Sequence, residues 1–378
     1  MITYKTLAKA LNMTEIRARR LLKSKSLRKT SYREFEYLIF KRDIGPYPEG
    51  TAVIFHNDYE PKVVPGYPQI SRILILRVAV PQHFRDQVIV EEKLNGYNVR
   101  VVSYAGKLLA LTRGGYICPY TTHRIERIFR SKGIEDLEGY VVFGETVGLE
   151  NPYTRYRYPE CEDFCFYVID VMKDGTYLPI DSKKKFCEDN NLECVRELAK
   201  VNKNDVDKIW EIVKVMESEK REGIVLKDPY NRVPPLKYTT SITNIGDIAE
   251  GMKYIFDEGR TYLFPRILRE VFKNFEEEPN EELLKERIKM LGEAILLEPL
   301  NAVKKVNIGE AIAEEFVLKF YSENVIDEFL SYMQKQGILL NIKNMEREND
   351  EIIIWFMKPK RTNLELRNIM SSGLSPLD

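Results

Sequence analysis

Lys93 is the residue of this chain whose type and setting most directly allow chemistry. It stands in Glu91-Glu92-Lys93-Leu94-Asn95-Gly96-Tyr97-Asn98, with the β-branched run Val88-Ile89-Val90 before it and the strand-like run Asn98-Val99-Arg100-Val101-Val102 after it. An amine at the junction of two strands can lie at the floor of a depression rather than in open water. There, desolvation or nearby cations draw its pKa down from the ordinary ~10.4 and free a lone pair for attack. Gly96 would let a substrate approach the backbone closely. A surface lysine in a hairpin is the competing reading, and Lys-x-x-Gly alone does not separate the two.

Further along, charged residues recur at the ends of strand-like runs: Arg113 in Thr112-Arg113-Gly114-Gly115, Glu145 in Phe143-Gly144-Glu145, Glu222 and Lys227 in Glu222-Gly223-Ile224-Val225-Leu226-Lys227, and Lys237 in Leu236-Lys237-Tyr238. Each taken singly reads as a solvated strand end or turn residue. Taken in order, with Lys93 and the strand Phe166-Tyr167-Val168-Ile169-Asp170-Val171, they resemble the motif series of the covalent nucleotidyltransferases: DNA ligases, RNA ligases and mRNA capping enzymes. The resemblance spans roughly residues 88–240. Asn98, five residues after the lysine, is similar to the RNA-ligase pattern, where DNA ligases usually have arginine. The layout along the whole chain is most similar to the archaeal homodimeric ATP-dependent RNA ligases.

The resemblance implies roles. Lys93 would attack the α-phosphate of ATP and release pyrophosphate. AMP would then move to a 5′-phosphate on RNA, and a 3′-hydroxyl would displace it. Arg113, Lys227 and Lys237 would spread the phosphate charge, arginine through a planar bidentate contact. Glu92, Asn98, Phe166 and Ile169 join them, with Glu145, as nucleotide-binding positions. Glu222 and Glu145 are the carboxylates for Mg2+ or Mn2+, a hard ion that takes one or two carboxylates plus phosphate oxygens and water. Glu145 is assigned more to the ribose and Glu222 more to the metal. Three positions depart from the family pattern. Asn95 stands where Asp or His is common and carries no charge. Ile169 stands where an aromatic often precedes the strand's aspartate, so Phe166 and Tyr167 are both open as the ring near adenine. Lys237 stands alone where two lysines are usual.

Composition bounds the answer. The 378 residues suffice for two or three domains, with an apolar share of 44% to build cores. Lys+Arg and Asp+Glu both number 58, so affinity for a nucleic acid must come from local basic patches rather than net charge. No apolar stretch approaches the ~20 residues of a membrane span, and Met1-Ile2-Thr3-Tyr4-Lys5 has no secretory pattern. The five cysteines, Cys118, Cys161, Cys165, Cys187 and Cys194, lack zinc-ribbon spacing. Reduced thiols in a cytoplasmic protein are the expectation.

The elements that must position these residues read as an α+β fold. Strands dominate 88–238, interrupted by helical stretches at 121–131, 182–190 and 203–220. The resemblance implies antiparallel sheets around a nucleotide cleft, in a nucleotidyltransferase domain over 66–240. Ahead of it, residues 1–65 form an N-terminal domain. Two short helices meet near Asn12-Met13-Thr14, with Thr14 as an N-cap and Arg17, Arg19 and Arg20 on the second helix. A helical cap is preferred there over a nucleic-acid grip. Residues 241–315 carry helical spacing in Ile245–Phe256, Phe264–Phe275 and Glu281–Leu297. By the family likeness this region makes a homodimer. Residues 316–378 read as a small α/β domain: strand 316–321, helix 325–335, strands 338–342 and 351–357, then a basic, solvated end at Lys358-Pro359-Lys360-Arg361.

The reading is therefore an ATP-dependent RNA ligase acting on RNA with 5′-phosphate and 3′-hydroxyl ends. The alternatives are a DNA ligase or capping guanylyltransferase, or an RNA-binding protein on a decayed ligase scaffold. The first two normally carry an oligonucleotide-binding barrel after the final lysine motif, where this chain reads as helical.

Overall fold

A computed structural model describes residues 2–376. The chain folds into two compact units. The first comprises residues 1–69, 96–195 and 320–332; the second comprises 70–95, 196–319 and 333–378. The chain passes from the second unit into the first between Asn95 and Gly96, two residues after Lys93.

In the second unit a five-stranded sheet runs in the order Glu197–Asn202, Gln87–Lys93, Gly223–Lys227, Leu236–Thr239, Ser71–Arg72. All of its pairings are antiparallel except the last. Residues directly opposite in such a sheet share a face and alternate residues change face. One face therefore carries Val88, Val90, Ile224, Leu226, Leu236 and Tyr238, all buried in one core cluster. The helix Val206–Ser218 covers it. Its apolar residues Val206, Ile209, Trp210, Val213 and Met216 follow helical spacing and join the same cluster.

The helices Ser241–Lys253, Arg260–Glu277 and Glu281–Asn307 follow in the same unit, where the sequence reads as helical. The last two strand readings fare differently. Glu351–Pro359 forms as expected, but its partner is Asn341–Glu348, displaced along the chain from the apolar run 338–342. The basic end is no solvated tail. Arg361–Ser372 is a helix whose first turn is capped from a distance: Asp257 accepts from the Arg361 and Thr362 amides at 2.8 Å each. Leu366 of this helix is buried beside Tyr254 and Val306.

In the first unit the helices Tyr4–Ala10 and Glu15–Lys23 form as read, and Thr14 accepts from the Arg17 amide. They pack Leu7, Leu11, Ala18 and Leu21 against Leu38, Phe40, Val53 and Phe55 of a four-stranded sheet. A second sheet of this unit runs Thr176–Tyr177, Cys165–Lys173, Tyr140–Val147, Tyr97–Tyr104, Lys107–Thr112. The segment 320–332 belongs here as well: Phe320 and Phe329 lie 5.2 and 5.8 Å from the Tyr120 ring, and the Tyr332 hydroxyl meets that of Tyr153 at 2.9 Å.

Four of the five cysteines depart from the reduced state expected. Cys161–Cys165 and Cys187–Cys194 are disulfides, with Cα atoms 6.0 and 6.3 Å apart, and Cys118 is free and buried. Among the described residues no helix is long and apolar enough to cross a membrane.

Candidate active site

The sheet of the second unit carries its chemistry on the face opposite its core. Lys93 lies opposite Gly223, and the same side of the sheet holds Glu91, Lys227, Lys237 and Arg72 by register. The Lys93 Nζ lies 2.5 Å from Glu222 Oε1, with the two side chains 20% and 12% exposed. The amine is thus partly shielded and held by the glutamate that the sequence singles out for metal. Gly223, next to Glu222, lets its strand lie close against Leu236–Thr239. Its φ of +151° favours glycine, and a Cβ there would stand 2.2 Å from the Tyr238 carbonyl oxygen.

Two expected nucleotide contacts are already engaged. Lys227 Nζ sits 2.9 Å from Glu91 Oε2, and both side chains are almost fully buried. Its charge is met inside the sheet, where the pair ties neighbouring strands together. Glu92 lies on the core side and takes Arg196 at 3.1 Å and Arg221 at 3.2 Å. Sequence reasoning missed Arg72. It pairs in register with Lys237 and donates to Thr239 Oγ1 at 2.9 Å. Burial, then the neighbouring Arg269, pushes its guanidinium down to about 10.

The first unit carries the other motif residues. Asn98, Glu145 and Tyr167 are register partners across three adjacent strands, so they form a row on one face. Asn98 Nδ2 donates to the Gly144 carbonyl at 3.4 Å, while its Oδ1 is buried with no hydrogen-bond partner among the described residues. A buried acceptor left unpaired in this way is suited to a ligand's donor. Phe166 does not belong to this row. It pairs with Thr146 on the other face, buried with its ring 5.6 Å from Phe129. Tyr167 therefore holds the aromatic position beside Glu145, and Ile169 follows it at a bulge between Val168 and Asp170. Gly96 lies close against the neighbouring strand: a Cβ there would meet the Thr146 carbonyl oxygen at 2.1 Å.

Arg113 is exposed at the end of the Lys107–Thr112 strand and makes no ion pair among the described residues. Its turn is fixed from below by Arg100. This fully buried guanidinium donates to the carbonyls of Gly50 and Pro65 at 2.8 Å each, and to those of Thr112 and Arg113. Burial pushes Arg100 down to about 9. The signal was available in the sequence, as a lone charge inside the apolar run Val99–Val102.

The second unit thus carries an end-of-strand lysine bound to a glutamate, and the first unit carries an exposed turn arginine and an Asn–Glu–Tyr row. Residues 86–239 match the family described as RNA ligase, and residues 250–373 match the Ligase Pab1020 C-terminal region. The chain is similar to the structure titled Archaeal ATP-dependent RNA ligase, form 2, with 30% identity over 99% of this chain and 100% of that one, TM-score 0.89. It is also similar to a candidate ATP-dependent DNA ligase from Aquifex aeolicus, with 29% identity over 96% of this chain and 100% of that one, TM-score 0.86. An uncharacterised protein of Methanocaldococcus jannaschii is 40% identical over 91% of this chain and 89% of its own length. The chain belongs to the RNA ligase family, in the group that contains the archaeal ATP-dependent enzyme.

Proposed function

We propose that this chain joins RNA ends in three transfers through Lys93. The Nζ attacks the α-phosphate of ATP, a phosphorus–nitrogen bond forms and pyrophosphate leaves. The 5′-phosphate of an RNA end then takes AMP from the lysine. Finally the 3′-hydroxyl of the other end attacks that phosphate, and AMP departs as the phosphodiester forms. The observation that carries the proposal is the Lys93–Glu222 contact at 2.5 Å on the charged face of its sheet.

An ammonium in an ion pair has no free lone pair, so its proton must leave before attack. Among the described residues no cluster of three His, Cys, Asp or Glu side chains could hold a metal alone. A magnesium or manganese ion would be held by Glu222. When bound it would supply positive charge that offsets the charge on the phosphates. Arg113 and Lys237 add fixed cations, and Asn98, Glu145 and Tyr167 receive the nucleoside, with Glu145 at the ribose. Lys227 acts through Glu91 to hold the lysine strand.

A homodimer is part of the proposal. The helices Arg260–Glu277 and Glu281–Asn307 expose Phe264, Val271, Phe275, Ile288 and Leu296, each more than half exposed. On the first helix these fall at helical spacing, as one uncovered apolar stripe that a second copy would bury. Sedimentation at micromolar protein should give twice the 44.3 kDa chain mass; a monomer would remove this part.

The reaction is tested by incubating the protein with α-labelled ATP or GTP, a divalent ion, and 5′-phosphorylated RNA or DNA. The expected result is a labelled protein band with ATP and joined RNA. A DNA-only product would favour the second reading, to which the Aquifex aeolicus likeness lends weight.

A further inference from the structure

We propose that Arg72 and Arg269 form an anion site that takes a phosphate group of the ligation reaction, either the pyrophosphate expelled from ATP or the 5′-phosphate of the RNA end. This rests on the ligase reading above and adds to it two residues from outside residues 86–239: Arg72 in the strand Ser71–Arg72 and Arg269 on the helix Arg260–Glu277.

The two guanidiniums are joined through neutral groups. Arg72 Nη1 donates to Thr239 Oγ1 at 2.9 Å, Thr239 Oγ1 donates to Asn244 Oδ1 at 2.8 Å, and Arg269 Nη1 donates to the same Asn244 oxygen at 3.4 Å. Neither arginine has an ion pair among the described residues. The nearby carboxylates are engaged elsewhere: Glu222 holds Lys93, Asp247 holds Arg266 at 2.8 Å, and Glu270 accepts from the Asn244 amide at 2.8 Å. Arg269 Nε is buried with no hydrogen-bond partner among the described residues.

Two shielded guanidiniums without a counter-ion repel one another and lose hydration, and both guanidiniums are held below the ordinary arginine value, by burial first and then by neighbouring arginines. A dianion between them removes both penalties, and the planar donor fork of arginine matches phosphate oxygens. The site also lies where the reaction needs it. Arg72 pairs in register with Lys237, on the sheet face that carries Lys93. Pyrophosphate and the RNA 5′-phosphate are the anions that reach that face.

The test uses the full-length protein and the variants Arg269→Ala and Arg269→Lys. Three readouts are compared: lysine adenylylation with its inhibition by inorganic pyrophosphate, AMP transfer to 5′-phosphorylated RNA, and sealing of pre-adenylylated RNA. If the anion is pyrophosphate, R269A lowers kcat/KM for lysine adenylylation by roughly 10- to 100-fold and weakens pyrophosphate inhibition in proportion. If it is the RNA 5′-phosphate, adenylylation is normal and AMP transfer falls by a similar factor. In both cases R269K restores part of the loss, and an unchanged melting temperature keeps folding out of the comparison. R269A matching the parent protein in all three readouts overturns the site. A parent protein that forms no lysine–AMP bond would instead overturn the ligase reading.

Discussion

The two five-stranded sheets that carry the motif residues solve opposite problems. The sheet bearing Lys93 brings its charges to the fold already matched: Lys93 with Glu222, Lys227 with Glu91, Glu92 with Arg196 and Arg221. The sheet bearing Asn98 and Glu145 leaves groups open, with an exposed Arg113 and an unpartnered Asn98 Oδ1. The first sheet holds the Lys93 amine in an ion pair with Glu222; the second offers unmet hydrogen-bonding capacity. Their reinforcement differs too. All five cysteines, including both disulfides, lie in the first unit, and the second has none.

This contrast can be broken at several points. The largest effect is expected at Lys93. Lys93→Ala should lower transfer of α-label from ATP to protein by at least ~10⁴-fold while leaving the melting temperature unchanged. Glu91→Gln comes next and acts on stability. It removes the carboxylate charge that faces the buried Lys227, so urea unfolding should report a loss of about 3–5 kcal/mol. A loss below 1 kcal/mol would mean that the pair is hydrated and not a tie between strands.

On the open sheet the same kind of change should act on binding. Arg113→Ala should raise the KM for ATP roughly 10-fold with no measurable change in stability, because its guanidinium has no protein partner to strand. The smallest effect concerns the covalent reinforcement. Alkylation of unfolded, unreduced protein should label Cys118 alone, and reduction of Cys187–Cys194 should cost about 2 kcal/mol for so short a loop. Labelling of all five thiols would restore the reduced state that composition implied.

Much of the proposed site rests on signals that are local in sequence. Lys93, Glu222 and Gly223, Arg113 and Lys237 announce themselves by residue type at strand ends and by order along the chain, and the helices after residue 240 follow from spacing. What escaped depends on register or on distant partners. Phe166 and Tyr167 are adjacent in sequence, and only the pairing with Tyr140–Val147 assigns them to opposite faces. Arg72 and Arg269 are almost two hundred residues apart and meet through Thr239 and Asn244. The helix after Lys360 has its first turn completed by Asp257, which no local pattern announces. The strand Asn341–Glu348 is exposed along its length, so it lacks the apolar alternation by which strands are recognised and is held by its neighbour alone.

The central claim is that one shielded amine forms a bond to phosphorus. Incubating the protein with ATP and magnesium, digesting it, and locating the adduct by tandem mass spectrometry tests this directly. The account predicts AMP attached at Lys93 and nowhere else, lost on adding pyrophosphate. AMP on a different lysine, or an unmodified Lys93 in protein that still seals RNA, would contradict it.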